Sequence, residues 1–288
     1  MAGTGGRIMI RAWLWLRHVT QCLVLALFCC LPLLDGQENL WLSGSLFAFD
    51  LGGIPFADPV AMAQGLLGGL VSGIAPGMRL LAGGCLALCV AFFLGRIFCS
   101  WLCPYGLFSE LVTALRLTPD DKMLKKRAFS IKVLLLAHGL GFVVLFNAPM
   151  LVMLSQPGQM SLMPQAVLEW LAHPEYAAAL LSLASVPLIA LCLELLTGKR
   201  LWCRFVCPQS VLLGLAASCL PRTIPGLRLV WQASRCTCKG ESPCQNACKL
   251  GCNPRKIVRR DCSLCGDCAH ACARRGGALT LHLGALKR

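Results

Sequence analysis

Gly95-Arg96-Ile97-Phe98-Cys99-Ser100-Trp101-Leu102-Cys103-Pro104 returns later in the chain as Gly198-Lys199-Arg200-Leu201-Trp202-Cys203-Arg204-Phe205-Val206-Cys207-Pro208. Both stretches read C-x-x-x-C-P beside basic residues, and each follows a long apolar run, Leu80–Gly95 in the first case and Ala177–Leu193 in the second. Two further runs precede these: Val19–Leu34, extended backward by Trp13, Leu14, Trp15 and Leu16, and Val133–Leu154. Each is near the ~20 residues that a helix needs to cross a bilayer. The first run lacks a small-residue cleavage site and three more follow it, so it reads as a retained span rather than a signal peptide. The pattern predicts an all-α membrane domain over residues 13–220, with four transmembrane helices in two pseudo-repeated pairs. Composition agrees: 57% of the residues are hydrophobic and 14% charged, too apolar for a soluble domain of this length.

The loop charges predict an orientation. The N-terminal tail, residues 1–12, carries Arg7 and Arg11 and no acid, and Arg17 follows. The loop Asp35–Gly77 carries Asp35, Glu38, Asp50 and Asp58 and no Lys or Arg. The next loop carries Arg116, Lys122, Lys125, Lys126, Arg127 and Lys132; the loop Ser155–Tyr176 carries only Glu169 and Glu175. Everything after Lys199 is strongly basic, and the net charge is +14. Basic segments stay on the cytoplasmic side, so both termini are expected there, in a multi-pass protein of the bacterial inner membrane. Leu51–Gly77 is rich in Gly and Pro yet apolar; an interfacial or re-entrant half-helix and a plain loop both fit it.

The chemistry of the repeated motif is specific. Cysteines at i and i+4 share one helical face. Proline after the second cysteine disfavours helical geometry there and suits the first position of a new helix. Cys103 and Cys207 are therefore expected at helix N-termini, where the dipole favours a thiolate, with Arg96 and Lys199 adding to the effect. Cys99, Cys103, Cys203 and Cys207 are candidate redox or metal thiols, converging on one site that holds a further metal or cluster, or acts as a thiol pair set. Buried structural thiols are the plainer alternative, weakened by the repetition.

The tail, residues 221–288, carries Cys262-Ser263-Leu264-Cys265-Gly266-Asp267-Cys268-Ala269-His270-Ala271-Cys272. This C-x2-C-x2-C-x3-C spacing is that of bacterial ferredoxins, with Ala273 in place of the usual proline. Zinc sites use two cysteine pairs split by a spacer, so zinc fits poorly. A degenerate partner run lies upstream, from Cys236 to Cys248, with C-x-C in place of C-x2-C and five residues in place of two before Cys244. In two-cluster folds the fourth cysteine of each run ligates the other cluster. The expected sets are Cys236, Cys238, Cys244 and Cys272 for one 4Fe-4S cluster, and Cys248, Cys262, Cys265 and Cys268 for the other. Cys252 is a surplus thiol that substitutes for a member of the first set if one fails.

The paired C-x-x-x-C-P motifs, the four apolar runs, the outer segment Gly53-Ile54-Pro55-Phe56-Ala57-Asp58-Pro59 and the cysteine-rich tail together resemble the NapH/MauN group of ferredoxin-type membrane proteins. The stretch Cys248–Arg255 leading into Cys262 is also similar to the FixG/CcoG group. The resemblance implies electron transfer through iron–sulfur centres: quinol oxidation serving a periplasmic reductase, with a second ferredoxin-type or cytochrome subunit as partner. Alternatively it implies a maturation role, in methylamine dehydrogenase or copper-oxidase assembly. The degenerate run from Cys236 departs from these groups.

His18, at an interface, and His138, within an apolar run, are candidate quinol-site residues, since intramembrane ionisable groups are functional candidates; a satisfied helix–helix hydrogen bond is an equally good reading of His138. Cys22, Cys29, Cys30, Cys85, Cys89, Cys192 and Cys219 lack ligand spacing and read as small packing residues. The sequence holds no nucleotide loop, flavin site or c-type haem signature, which argues against a complete dehydrogenase. The cysteine spacing argues against nucleic acid as the partner of the basic tail.

Overall fold

The computed structural model describes residues 4–34, 42–45, 48–115, 128–147, 150–238 and 242–285. The first half runs α1 (Thr4–Leu34), β1 (Leu42–Ser45), β2 (Ala48–Leu51), β3 (Ile54–Ala57), α2 (Pro59–Ser72), α3 (Met78–Leu94), α4 (Phe98–Trp101) and α5 (Pro104–Ala114). The second runs α6 (Ala128–Phe146), α7 (Met150–Leu154), α8 (Gln156–Ala172), α9 (Ala177–Thr197), α10 (Leu201–Phe205) and α11 (Gln209–Ser218). The tail adds β4 (Gly226–Trp231), α12 (Pro243–Asn246), α13 (Asp267–Ala273) and β5 (Leu279–Gly284).

Three stretches are long and apolar enough to cross a membrane: Ile10–Cys30, Ala128–Phe146 and Pro174–Thr197. Each is buried over only 17% of its most apolar window. Leu23, Leu27, Leu134, Leu145, Phe146, Leu181 and Ile189 are exposed along them. Helices packed inside a soluble core would hide such a surface; a bilayer covers it. The expected second span is α3, whose 17 residues rise only about 25 Å at 1.5 Å each, short of the ~30 Å hydrocarbon core.

Several expectations need correction. The chain is largely helical but not all-α, because β1, β2 and β3 form one antiparallel sheet and β4 pairs with β5 in another. The turn between β2 and β3 is Gly52-Gly53, with both φ positive at 57° and 88°, the geometry a two-residue hairpin requires. The stretch after it is a helix, α2, capped by Asp58, whose Oδ1 accepts the Val60 N–H at 2.7 Å, with Pro59 at its first position. The third apolar run is shifted. It begins at Ala128 and stops at Phe146, because Asn147 turns left-handed (φ 50°) and its N–H closes on the Val143 carbonyl at 2.8 Å. The Ser155–Tyr176 segment is mostly α8 rather than loop, and residues 4–12 belong to α1. The basic residues from Arg116 to Arg127 lie outside the described residues.

The halves interlock: α5 packs on α9, and α11 packs on α3. Gly83 lets β3 lie directly on α3, since a Cβ there would stand 2.7 Å from the Ala57 nitrogen. The tail is seated on the end of this bundle. Ile10 of α1 joins the tail core with Ala269, Ala278 and Leu279. The Arg259 guanidinium donates to the Phe93 and Ala217 carbonyls at 2.7 and 2.9 Å, and Lys249 Nζ to the Thr113 carbonyl at 3.0 Å.

Candidate functional site

The two C-x-x-x-C-P loops fold alike. α3 and α9 both end on a glycine with positive φ, Gly95 (71°) and Gly198 (62°). A short helical turn follows, α4 or α10, which carries the first cysteine. The second cysteine then bonds back to the start of that turn: Cys103 N–H to the Phe98 carbonyl and Cys207 N–H to the Trp202 carbonyl, both 3.0 Å. Cys103 is the N-cap of α5, as its proline predicts. Cys207 sits one position further out, because Pro208 is the cap of α11.

The four motif thiols come together. Cys103 lies within electrostatic reach of Cys99 and Cys207, and Cys203 of Cys207 and Cys103. Cys103 and Cys207 are buried, and Cys99 and Cys203 flank the same core as Phe98 and Tyr105. Backbone N–H groups of Tyr105 and Gly106 point at Cys103, and that of Ser210 at Cys207, as a helix N-terminus should offer.

Buried cations surround this thiol set. Arg96 Nη2 is 4.0 Å from Cys99 Sγ, and Cys203 and Cys207 lie within its field. Lys132, on α6, is 1% exposed and donates to Ser210 Oγ at 3.0 Å. Arg200 neighbours Cys203. Sequence reasoning placed Lys132 in a solvated loop and chose Lys199 over Arg200. The signal that finds Arg200 is the register counted back from the cysteine: Arg96 and Arg200 each stand three residues before the first thiol of their motif.

The tail thiols form two further groups. Cys248, Cys262, Cys265 and Cys268 line one cavity together with Arg200 and Asp267. Leu264 N–H donates to Cys262 Sγ at 3.4 Å and Cys252 N–H to Cys248 Sγ at 3.3 Å. The loop wraps tightly because Leu264 (φ 57°) and Gly266 (φ 92°) are both left-handed. Cys244 and Cys272 are buried in the tail core with Cys236 against them, and Cys238 neighbours Cys244. The two neighbourhoods meet at α13, where Cys268 packs in the same core as Cys244 and Cys272. Cys252 belongs beside the Cys248 set instead of the Cys236 set. It accepts from Arg204 Nη1 at 3.2 Å, and its thiol faces the Asp261 carbonyl.

Burial pushes the Cys262 thiol up to about 11 and raises those of Cys265 and Cys268 well above the ordinary thiol value. Cys268 is buried and Cys262 and Cys265 are half-buried; thiols that resist ionisation suit a metal centre that displaces their protons. Among the described residues, no three His, Cys, Asp or Glu side chains are close enough to grip a single ion. A cubane fills the space between its thiolates and holds them further apart than the ~2.3 Å bonds of one zinc do. The donor chemistry and the N–H···S contacts fit such a cluster.

The tail meets the motif directly. Ser100 Oγ, between Cys99 and Cys103, donates to the Ser263 carbonyl, between Cys262 and Cys265, at 2.7 Å in a buried contact. A charged network locks the same junction. Arg17 pairs with Glu110 and Asp267, and Arg200 with Glu110 at 3.1 Å. Glu194 is fully buried and accepts from Ser109 Oγ and the Trp202 N–H, tying α9 to α5 and α10.

The histidines stand elsewhere. His18 is exposed and shares contacts with Arg17 and Gln21. His138 is exposed on α6, its Nδ1 facing the Leu134 carbonyl of its own helix. The isolated cysteines Cys22, Cys29, Cys30, Cys85, Cys89, Cys192 and Cys219 are exposed, so they face outward instead of packing.

The 4Fe-4S binding domain family matches residues 76–119 and again 179–227, the two segments that hold the C-x-x-x-C-P loops. The methylamine utilization ferredoxin-type protein MauN of Methylorubrum extorquens is 30% identical over 225 residues, 74% of this chain and 69% of that protein. The ferredoxin-type protein NapH of Escherichia coli K12 is 25% identical over 282 residues, 91% of this chain and 86% of the relative. YccM of the same organism is 26% identical over 295 residues, covering 93% and 76%. No solved structure matches the chain. The chain belongs to the NapH/MauN/YccM-type ferredoxin-like iron–sulfur proteins and is a multi-pass membrane protein of electron transfer.

Proposed function

We propose that the chain carries electrons from a quinol in the membrane, through a centre held by Cys99, Cys103, Cys203 and Cys207, to two 4Fe-4S clusters in the tail. Cys248, Cys262, Cys265 and Cys268 hold the inner cluster, and Cys236, Cys238, Cys244 and Cys272 the outer one. A second ferredoxin-type or cytochrome subunit exchanges electrons with the outer cluster. The shorter α3 serves as the fourth span beside the three long ones, so that the spans form two pseudo-repeated pairs with both termini in the cytoplasm. The observation that carries this reading is the Ser100–Ser263 contact, which joins the first motif loop to the inner cluster loop without intervening solvent.

When bound, the iron–sulfur groups supply one-electron chemistry. The protein's own residues do the rest. The motif loops hold four thiols, two buried and two half-buried, between α3, α5, α9 and α11. Arg96, Lys132 and Arg200 supply the positive charge that thiolate-rich centres need. A cavity of about 290 Å³ between α1, α5, α8 and α9 has room for the ring or the apolar tail of a quinol, whose protons would leave to groups outside its apolar lining. It is lined by apolar groups including Leu25, Phe28, Phe108, Met160 and Leu191, and Pro104 brings it next to Cys103. Neither His18 nor His138 lines it. A second reading, maturation of a client metal or cofactor, is favoured by the MauN likeness; it uses the same chain of centres and differs only in the acceptor.

The test is Cys103→Ser and Cys207→Ser, singly and together, in anaerobically purified full-length protein. Serine keeps the size and loses the thiolate. The expected result is loss of about four irons from the chain and of quinol-driven reduction of the tail, with the tail clusters still present. Full electron transfer in folded double variants would make the motif structural and end the relay reading.

A further inference from the structure

Arg96 and Arg200 occupy equivalent places in the two halves, and each reaches from the membrane thiols to the tail. Arg96 is 1% exposed. Its Nη2 faces Cys99 at 4.0 Å, while its Nη1 donates to the carbonyls of Arg260 and Asp261 at 3.2 and 3.3 Å, directly before Cys262. Its charge acts on Cys99, Cys203 and Cys207 on one side and on Cys262 on the other. Arg200 is 4% exposed. It acts on Cys203 and on Cys265, it lines the inner-cluster cavity, and its own N–H is bonded to the Lys249 carbonyl beside Cys248 at 3.0 Å.

Neither guanidinium is fully satisfied. The Nε of each is buried without a hydrogen-bond partner among the described residues. Burying a cation without compensation is costly. Arg200 has Glu110 as counter-ion, at 3.1 Å, whereas Arg96 pairs with no carboxylate among the described residues. Both charges therefore lie between two thiol sets, with buried N–H groups still to be matched. An anionic iron–sulfur core held by the thiols on either side would supply the compensating charge.

We infer that Arg96 and Arg200 form a charge bridge that raises the reduction potentials of both the membrane centre and the inner tail cluster and holds them in step. The inference rests on the ligand sets given under Proposed function. A fixed positive charge between two centres stabilises the reduced, more negative state of each. Arg96 has the larger effect, because Glu110 offsets part of the Arg200 charge.

The experiment is a potentiometric titration, followed by electron paramagnetic resonance, of the purified full-length holoprotein and its R96Q, R96K, R200Q and R200K variants. In R96Q both midpoints fall. The reduced-to-oxidised ratio at the wild-type midpoint drops roughly tenfold, which is about 60 mV for a one-electron couple. R200Q shifts both in the same direction by less. R96K and R200K keep the charge and stay near wild type, and they carry the test if a neutral variant does not assemble. Midpoints unmoved in R96Q, movement of one centre alone, or Lys variants displaced as far as the Gln variants would overturn the bridge. Wild-type protein with no iron–sulfur signal would defeat the ligand sets themselves, a separate failure.

Discussion

The inner thiol set and the outer thiol set share one small tail but live in opposite surroundings. Cys262, Cys265 and Cys268 sit on the seam with the membrane domain, between Arg96, Arg200 and the Ser100 hydroxyl. Cys236 follows an exposed stretch, residues 232–235, and its thiol pKa is lowered by the Cys238 N–H and the nearby Arg255. Cys244 is intermediate: burial and Cys272 push it up, Arg255 pulls it down. The contrast separates a set at the seam from a set nearer the surface, and it is open to attack at each end.

The largest effect is expected from Cys265→Ser or Cys268→Ser. Losing an inner ligand should remove about four irons and stop electron flow into the tail, because the Ser263 carbonyl that meets Ser100 lies in this ligand loop. Cys236→Ser should leave the inner cluster signal intact and abolish only transfer to a partner. Iron analysis and the spectra of both variants check this; if Cys236→Ser also empties the inner site, the two sets are not independent.

A smaller effect is expected at the seam. Glu110→Gln leaves Arg17 and Arg200 without their shared carboxylate. Breaking a fully buried pair costs 3–5 kcal/mol; because Glu110 is 18% exposed, about 2 kcal/mol is the fitting estimate. The cost should appear as faster amide exchange in α13 and the Cys262–Cys268 loop, while β4 and β5 stay protected. Uniform loosening of the whole tail would mean that Glu110 does not act at the seam.

The smallest effect concerns the metal-free protein. At pH 8 a thiol held near 11, as Cys262 is, is ionised to about one part in a thousand, and the thiolate is the reactive form. Alkylation should therefore mark Cys236 at least tenfold faster than Cys262. The same raised thiol makes the folded apo tail lose stability as pH climbs: below the unfolded value of about 8.5 nothing is lost, and the loss accumulates through about 11. Equal labelling of the two cysteines would remove the distinction between the sets.

Much of this was legible in the sequence, for physical reasons. The Cys262–Cys272 run is read locally, since one tight loop fixes its spacing, and the doubled C-x-x-x-C-P loops announce themselves by repetition. The outer segment was harder. Gly52-Gly53 and Asp58-Pro59 specify a hairpin turn and a helix cap, but both lie in an apolar stretch with no clear period. Lys132 was misplaced because a charge ends an apolar run on paper, whereas Ser210 and the thiol site accept it in the fold. Arg200 lost to Lys199 because one extra residue separates Gly198 from the second motif, so that counting forward from the glycine finds Lys199 and only counting back from Cys203 finds Arg200.

Counting iron and acid-labile sulfide in the anaerobically purified wild-type chain tests the central claim most directly. Three centres, one in the membrane domain and two in the tail, predict about twelve of each per chain. Stoichiometric zinc without sulfide, or a count of about eight that Cys103→Ser and Cys207→Ser leave unchanged, would contradict it.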